Sequence, residues 1–153
     1  MRIVISDLPL DSAVMFSAFE AANLQSGALS SFVGRCRAKA FDGGTVEALE
    51  LQHYPGFTER IVQTFTTELS ARLMLNDALV VHRVGRILPG EAIVLVAAAA
   101  PHRAAALQAV ATLIDFLKTQ APFWKREVSE TQSTWIEPTA LDHHRARKIG
   151  GKP

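Results

Sequence analysis

The uncharged apolar run from Ala92 to Ala100 constrains the fold of this chain more than any other feature. It follows a Pro89-Gly90 turn and ends at Pro101, so the sequence predicts a strongly apolar strand from Ala92 to Ala99. A membrane-spanning helix needs roughly 20 such residues, which excludes a span here. The first residues, Met1 to Asp7, hold too few apolar side chains for a signal-peptide core, and we therefore expect a soluble, cytoplasmic protein.

Several shorter segments also have the composition and alternation typical of strands. They are Arg2 to Ile5, Ser30 to Arg37, Val46 to Tyr54, Ala78 to Val84, Phe123 to Val128 and Trp135 to Glu137. Gly85 to Leu88 is expected to be a connection between two strands. Together with the helices, this order of elements predicts an α+β fold with a mixed or antiparallel sheet.

Three segments have a helical pattern, one modest and two long and amphipathic. The modest helix covers Leu10 to Ala22, with Asp11 or Ser12 as its N-cap. The first long helix begins at Pro55, and its predicted buried face carries Phe57, Ile61, Phe65, Leu69 and Leu73, with Val62 beside them. The second runs from near Pro101 to about Thr119, with Leu107, Val110, Ile114 and Leu117 predicted buried and Gln108, Thr112 and Asp115 predicted outward.

Length and charge favour one compact domain without a broad nucleic-acid surface. The 153 residues predict a single domain over 1–138 and a basic, flexible tail over 139–153. The 16 Lys and Arg residues nearly balance 15 Asp and Glu residues, whereas a nucleic-acid-binding domain is usually markedly basic. The single cysteine, Cys36, cannot form an intramolecular disulfide, which fits a reducing compartment.

The common cofactor and metal motifs are missing from the sequence. It has no GxGxxG, and the glycine pair at Gly85 and Gly90 continues as Glu91-Ala92 where a phosphate-binding loop needs Lys followed by Ser or Thr. The five histidines have no metal-ligand spacing, so we expect neither a cofactor nor a catalytic metal. Cys36 is flanked by Arg35 and Arg37, which lowers a thiol pKa in principle, but a small buried apolar role is the favoured interpretation.

Positively charged side chains are concentrated at a few positions where a bound anion would account for them. Arg35 and Arg37 share one face of a predicted strand, although edge charges that prevent aggregation are the simpler interpretation. His102 and Arg103 lie in the first turn of a predicted helix, where positive charge opposes the helix dipole. A bound anion would reverse that penalty, and a tolerated surface charge is an equal alternative.

Two lysines follow at the end of the same helix and in the next strand. Lys118 is favoured there by the helix dipole, and Lys125 shares a strand face with Glu127 while Arg126 points the other way. Each lysine alone could simply be solvated. Brought together beside Arg37, however, their ammonium forms would be destabilised, which makes a lysine useful as an acid, base or nucleophile.

The motifs that carry these residues resemble the family of large, catalytic subunits of molybdopterin synthase. Order and spacing agree from about Ser31 to Glu137. The matching segments are Leu51-Gln52-His53-Tyr54-Pro55-Gly56-Phe57, His82-Arg83-Val84-Gly85, Leu88-Pro89-Gly90-Glu91, Pro101-His102-Arg103, Asp115-Phe116-Leu117-Lys118 and Ala121-Pro122-Phe123-Trp124-Lys125-Arg126-Glu127. Gln52 departs from a Glu that is frequent in the family, and Pro138-Thr139 stands where the family often carries an Arg.

The resemblance implies a hammerhead-type α+β domain that dimerises and binds one ubiquitin-like small subunit per protomer, giving a heterotetramer. The small subunit's Gly-Gly C-terminus, carried as a thiocarboxylate, would donate sulfur. The acceptor would be cyclic pyranopterin monophosphate, which two donations convert into the dithiolene of molybdopterin. Neither nucleic acid nor a membrane is an expected partner.

The resemblance also implies roles for individual residues. Lys118 and Lys125 would be catalytic, the first at the thiocarboxylate and the second in proton transfer or substrate binding. The substrate-binding residues would be Arg35, Cys36, Arg37, His102, Arg103, Arg126 and Glu127. We expect the fold to gather the cations among them into one pocket.

Two other interpretations remain on sequence grounds. One is a noncatalytic dimeric module that uses the same cations to hold a nucleotide or another anion. The other, RNA binding by the tail, is disfavoured by the 7% aromatic content and the neutral charge balance.

Overall fold

The computed structural model describes residues 1–40, 43–129 and 133–136. In chain order these residues form β1 (Arg2–Ser6), α1 (Ser12–Ala22), β2 (Ala28–Arg35), β3 (Ala48–His53), α2 (Phe57–Leu73), β4 (Asp77–Arg83), β5 (Gly85–Ile87), β6 (Ala92–Ala100), α3 (Arg103–Thr119), β7 (Phe123–Val128) and β8 (Ser133–Ile136). The predicted tail, 139–153, and Pro138-Thr139 lie outside the described residues.

The strands form a mixed sheet and an antiparallel sheet. The first sheet has the order β1-β4-β6-β2, with β1 parallel to β4 and the other pairs antiparallel. The second sheet has the order β5-β3-β7-β8 and is antiparallel throughout. The α+β prediction is therefore confirmed.

Strand β6 is central in the first sheet and is covered on both faces. Val96 and Ala98 pack in the core that α2 and α3 share with this sheet, whereas Leu95, Ala97 and Ala99 pack on the α1 side. Because both faces are dry, both sets of alternate side chains must be apolar, which explains the uninterrupted run. In the described part of the chain, no helix has the length and apolar character that crossing a membrane requires.

Helix α1 begins where its predicted cap stands. The Asp11 side chain accepts hydrogen bonds from the backbone N–H groups of Ala13 and Val14, at 3.1 and 3.0 Å. These bonds satisfy two of the donors that the first turn leaves free. The cap prediction is confirmed for Asp11.

The buried face of α2 includes two threonines that the apolar pattern did not predict. Its fully covered residues are Thr58, Val62, Thr66 and Leu69, while Phe57 is 47% exposed. Two threonines can be buried because the Thr66 hydroxyl donates to the Val62 carbonyl at 2.7 Å and the Thr58 hydroxyl to the Pro122 carbonyl at 3.3 Å. The predicted face is confirmed for Leu69 and for Val62 beside it, and Ile61, Phe65 and Leu73 pack partly buried against the same core. The prediction was wrong for Phe57, and it missed the two threonines.

The predicted buried face of α3 is confirmed for Val110 and Leu117, and Ile114 packs against the core, but two positions differ. Leu107 is 60% exposed and Thr112 only 5% exposed, the reverse of what the pattern indicated. Ala106 and Ala109 turn inward instead, where their short side chains let α3 lie close to β2 and β6. Larger side chains complete this face: Val110, Leu113, Phe116 and Leu117.

The expected connection at Gly85 to Leu88 contains the short strand β5, so that prediction was wrong. Gly85 adopts a φ of 76°, a left-handed conformation that favours glycine. The bend redirects the chain from the first sheet into the second, where β5 pairs with β3. This is how the end of β4 comes to lie beside the second sheet.

Candidate active site

A small cleft lies where the end of β2 meets β3 and β7. Its empty volume, with the solvent at its mouth, is about 260 Å³. Val46, Leu49 and Ile93 supply its apolar lining. The remaining lining residues are all ones that the sequence predicted: Arg35, Cys36, Arg37, Lys125 and Glu127.

Lys125 is half-buried in this cleft. The pleat of β7 puts it on the same face as Glu127, and its neighbour across the strand pair is the buried Leu51. Burial is the largest cause of its lowered pKa, the Glu127 carboxylate opposes the change, and the charges of Arg37 and Lys118 lower the pKa further. The structure therefore brings together the three cations whose proximity the sequence only suggested.

Lys118 reaches the same region from the last turn of α3. A short connection, 120–122, joins this helix to β7, and it is held by the Ala121 N–H donating to the Phe116 carbonyl at 3.0 Å. The chain consequently turns back so that Lys118 influences Lys125 electrostatically. Lys118 itself is exposed, so an incoming anionic group can reach it.

The arginine wall of the cleft is shaped by an irregularity in the first sheet. The pairing of β2 with β6 passes from Gly34 opposite Val94 to Arg35 opposite Ala92, which skips Ile93. Such a bulge redirects side chains, and Ile93 lines the cleft. Arg35 is anchored there, because its Nη1 donates to the Gly90 carbonyl at 2.9 Å.

Cys36 is buried, and burial is the main cause of its raised pKa. A thiol with a raised pKa is a poor nucleophile near neutral pH. The interpretation of Cys36 as a small buried residue is confirmed. What it offers to the cleft is its position in the wall between the two arginines.

Arg126 lies on the opposite face of β7 and is not brought into the cleft. Its guanidinium pairs with the Glu50 carboxylate, with Nε donating to Oε2 at 3.2 Å, and it stacks over Trp135 at 5.4 Å from the ring centroid. These contacts fix Arg126 within the second sheet, where it joins β3, β7 and β8.

His102 and Arg103 are also not brought to the cleft of their own chain. Arg35 pairs near Ala92, whereas Ala28 pairs with Ala100 at the other end of β6. Eight residue steps at about 3.3 Å each separate these ends by roughly 26 Å, which exceeds the reach of the side chains. One chain by itself therefore does not bring these two residues into the expected common pocket.

Sequence reasoning assigned no role to two buried groups near the cleft, although they lie in one of the matching segments. His82 packs flat against Phe123, with ring centroids 4.0 Å apart, and its pKa is lowered to about 4 mainly by burial. Arg83 is 7% exposed and forms an ion pair with Glu91 at 2.8 Å. In the sequence, the adjacent polar residues His82 and Arg83 at the end of an apolar strand could have indicated these buried groups. In residues 1–40, 43–129 and 133–136, no group of three His, Cys, Asp or Glu side chains is arranged to hold a metal ion.

Comparison with known proteins places this chain in a family. The model of a family described as MoaE protein matches residues 5–120. A molybdopterin synthase catalytic subunit from Caulobacter vibrioides is 44% identical over 148 residues, with 97% of each chain covered.

Solved structures agree with the family match. A molybdopterin biosynthesis MoaE protein from Burkholderia ambifaria superposes with a TM-score of 0.80 at 37% identity, covering 98% of each chain. A complex of subunits 1 and 2 of molybdopterin-converting factor from Helicobacter pylori has the same fold, with a TM-score of 0.71 at 21% identity over 88% of this chain and 89% of that one. The match to the family model over most of its length and the extent of the identity show that this chain belongs to the MoaE family, the catalytic subunits of molybdopterin synthase.

Proposed function

We propose that this chain transfers sulfur from the C-terminal thiocarboxylate of a ubiquitin-like small subunit to cyclic pyranopterin monophosphate. The observation that carries the proposal is that Arg37 and the half-buried Lys125 line one cleft, and that Lys118 is near enough to act on Lys125 electrostatically. Both the donor and the acceptor are anions, so a focused positive cleft suits each of them. The product would be the dithiolene of molybdopterin, in molybdenum cofactor biosynthesis.

Lys118 is the residue that first meets the donor. It is exposed at the end of α3, so its ammonium can pair with a thiocarboxylate that arrives on a flexible tail. In each transfer the thiocarboxylate sulfur would form a bond to a carbon of the pterin while a carbon–oxygen bond at that carbon breaks, and water would then cleave the carbon–sulfur bond to the small subunit. The small subunit leaves with a carboxylate, whose new oxygen comes from water.

Lys125 is the candidate for proton movement. Its lowered pKa increases the fraction of neutral amine near neutral pH, which is the form that accepts a proton. Arg35 and Arg37 would bind the phosphate of the pterin from the other wall of the cleft, and Glu127 would hold Lys125 in place. Cys36 contributes its position in that wall.

His102 and Arg103 have a place in this proposal through a homodimer. Their first-turn position at α3 lies roughly 26 Å along β6 from the cleft of the same chain. In the described residues β2 is an edge strand of the first sheet, so this side is open to a second copy. We place His102 and Arg103 of one protomer at the cleft of the other.

The partner proposal is a small subunit bound to each protomer, giving a heterotetramer in the cytoplasm. It is supported by the Helicobacter pylori relative, which was solved as a complex of two different subunits. Arg126 stays outside the substrate contacts in this proposal because Glu50 and Trp135 already hold it.

The decisive experiment replaces Lys118. Purified Lys118→Ala, thiocarboxylated small subunit and cyclic pyranopterin monophosphate should give almost no dithiolene product. Arg72→Ala is the matched control, because Arg72 is the cation in the last turn of α2. An unchanged rate with Lys118→Ala would refute the catalytic assignment, and a wild type that binds the pterin without turnover would favour the noncatalytic module.

The dimer is tested by mixing two inactive variants. If sites combine residues of both protomers, Lys118→Ala mixed with Arg103→Ala should regain about a quarter of the wild-type activity after subunit exchange, since half of the dimers then carry one intact site of two. If each site belongs to one chain, the mixture should stay as inactive as its components.

A further inference from the structure

The turn Leu88 to Glu91, here called the clasp, is hydrogen-bonded directly to the arginine wall. The Cys36 N–H donates to the Glu91 carbonyl at 2.9 Å, and the Gly90 N–H donates to the Cys36 carbonyl at 2.8 Å. The Arg35 guanidinium donates to the Gly90 carbonyl at 2.9 Å. The backbone between the two arginines therefore takes its position from the clasp.

The clasp is in turn closed by the side chain of Glu91. Its Oε2 accepts from the Leu88 N–H at 2.7 Å and lies 2.8 Å from the Arg83 Nη1. The Leu88 hydrogen bond and the Arg83 charge together lower the pKa of Glu91. One carboxylate oxygen thus ties the two ends of the turn to each other and to the end of β4.

Arg83 is a firm anchor for this carboxylate because it is buried. Its Nη2 also donates to the Arg86 carbonyl at 3.3 Å, which ties it to β5. A buried guanidinium needs a carboxylate or several acceptors to be tolerated, so the position of Glu91 is tightly coupled to that of Arg83. Neither side chain lines the cleft.

We propose that the Arg83–Glu91 pair is a positioning device, which holds the clasp so that Arg35 and Arg37 are set for the phosphate of the pterin. This inference rests on the proposed function. It assigns Arg83 and Glu91 to substrate affinity, and it leaves the sulfur transfer itself to the lysines on the other side of the cleft.

The test uses Glu91→Gln and Glu91→Ala in the complete enzyme with its small subunit. Gln keeps an acceptor for the Leu88 N–H and loses the charge, whereas Ala loses both. We expect KM for cyclic pyranopterin monophosphate to rise about tenfold with Ala, as for the misalignment of one charge-assisted contact, and less with Gln. The kcat should stay within about twofold, since the transfer machinery is intact.

Two further variants and a second measurement separate positioning from general destabilisation. Arg83→Lys keeps the charge without the fork and should raise KM in the same direction, and Glu68→Gln on the exposed face of α2 should change neither constant. Amide hydrogen exchange should accelerate at Cys36 and Gly90 in both Glu91 variants.

An unchanged KM despite accelerated exchange would overturn the proposal, as would unchanged exchange at Cys36 and Gly90. A fall in kcat at constant KM would also overturn it, because it would place Glu91 in the transfer step. Failure of the proposed function is a different result: the wild type itself would give no product, while the exchange measurement would still report on the clasp.

Discussion

Acid sensitivity of folding should depend strongly on one buried imidazole, that of His82. The His82 ring is stacked on Phe123 at an interplanar angle of 14°, and its Nδ1 lies 2.9 Å from the Arg83 carbonyl. A carbonyl only accepts, so in the neutral ring the proton is on Nδ1. Burial, with lesser contributions from the positive charges of His53 and Lys125, lowers the His82 pKa to about 4 although the Arg83 carbonyl favours protonation.

The sign of the effect follows from proton binding in the two states. The unfolded chain takes up a proton at this histidine near pH 6.5, and the folded chain does so only near pH 4. Stability from His82 is therefore present above pH 6.5 and is lost as the pH falls toward 4. At about 1.4 kcal/mol for each tenfold change in the protonation ratio, the loss between pH 7 and pH 4 is about 3 kcal/mol.

The perturbation is His82→Phe, which keeps a ring against Phe123 and cannot take up a proton. It loses the hydrogen bond to the Arg83 carbonyl, which should cost about 1 kcal/mol at pH 7. At pH 4 the variant should be the more stable protein by about 2 kcal/mol. The two stability curves should therefore cross between about pH 5 and pH 6.

Urea unfolding followed by tryptophan fluorescence at pH 7, 6, 5 and 4.5 measures both curves. Taking the difference between wild type and variant cancels the other titrating groups, which are common to both. Gln108→Ala, at an exposed position of α3, is the control and should follow the wild-type curve. A difference between His82→Phe and wild type that stays constant across this pH range would refute the reasoning.

Three other predictions concern the cleft and its frame. Glu127→Gln removes the carboxylate that raises the Lys125 pKa. The limb of the pH–rate profile that Lys125 governs should therefore move to lower pH. A shift of that limb to higher pH would contradict the geometry. Arg126→Ala should leave KM for the pterin unchanged and lower the free energy of unfolding by about 1 kcal/mol. Steady-state kinetics measure the first effect and equilibrium urea unfolding the second. A large rise in KM would show that Arg126 contacts the substrate. Gly27→Ala should destabilise the fold by 2 kcal/mol or more, on the order of an overpacked site, because its Cβ would lie 2.2 Å from the Pro101 carbonyl oxygen; an unchanged melting temperature would refute this.

The local sequence pattern was sufficient to predict features that depend on a single helix or strand. The Asp11 cap, the apolar strand predicted at Ala92 to Ala99 and the opposite directions of Lys125 and Arg126 all depend on neighbours within a few residues. Their physical causes are helix capping, burial of a strand and the alternation of side chains along a strand, and each of these can be recognised in a short stretch of sequence. These predictions were correct for that reason.

The predicted helix faces were correct for most large apolar residues and wrong at Phe57, Leu107 and Thr112, because burial depends on what lies opposite each side chain. Thr66 is buried because its hydroxyl bonds within its own helix, and Ala109 is buried because α3 lies close to the sheet. Neither fact follows from the hydropathy of the residue. The same limit applies to the Arg83–Glu91 pair, which requires the bend at Gly85.

The sequence by itself determined the fold class, the family resemblance and the identity of the cations that serve the cleft. Only the tertiary structure decided which of them meet: Arg37, Lys118 and Lys125 converge, and His102 and Arg103 lie at the far end of β6. The reason is that electrostatic interactions act over a few ångströms, whereas the residues that must meet are separated by whole strands and helices. Their distances are set by strand register, by the bulge after Gly34 and by the length of α3, which no short stretch of sequence encodes.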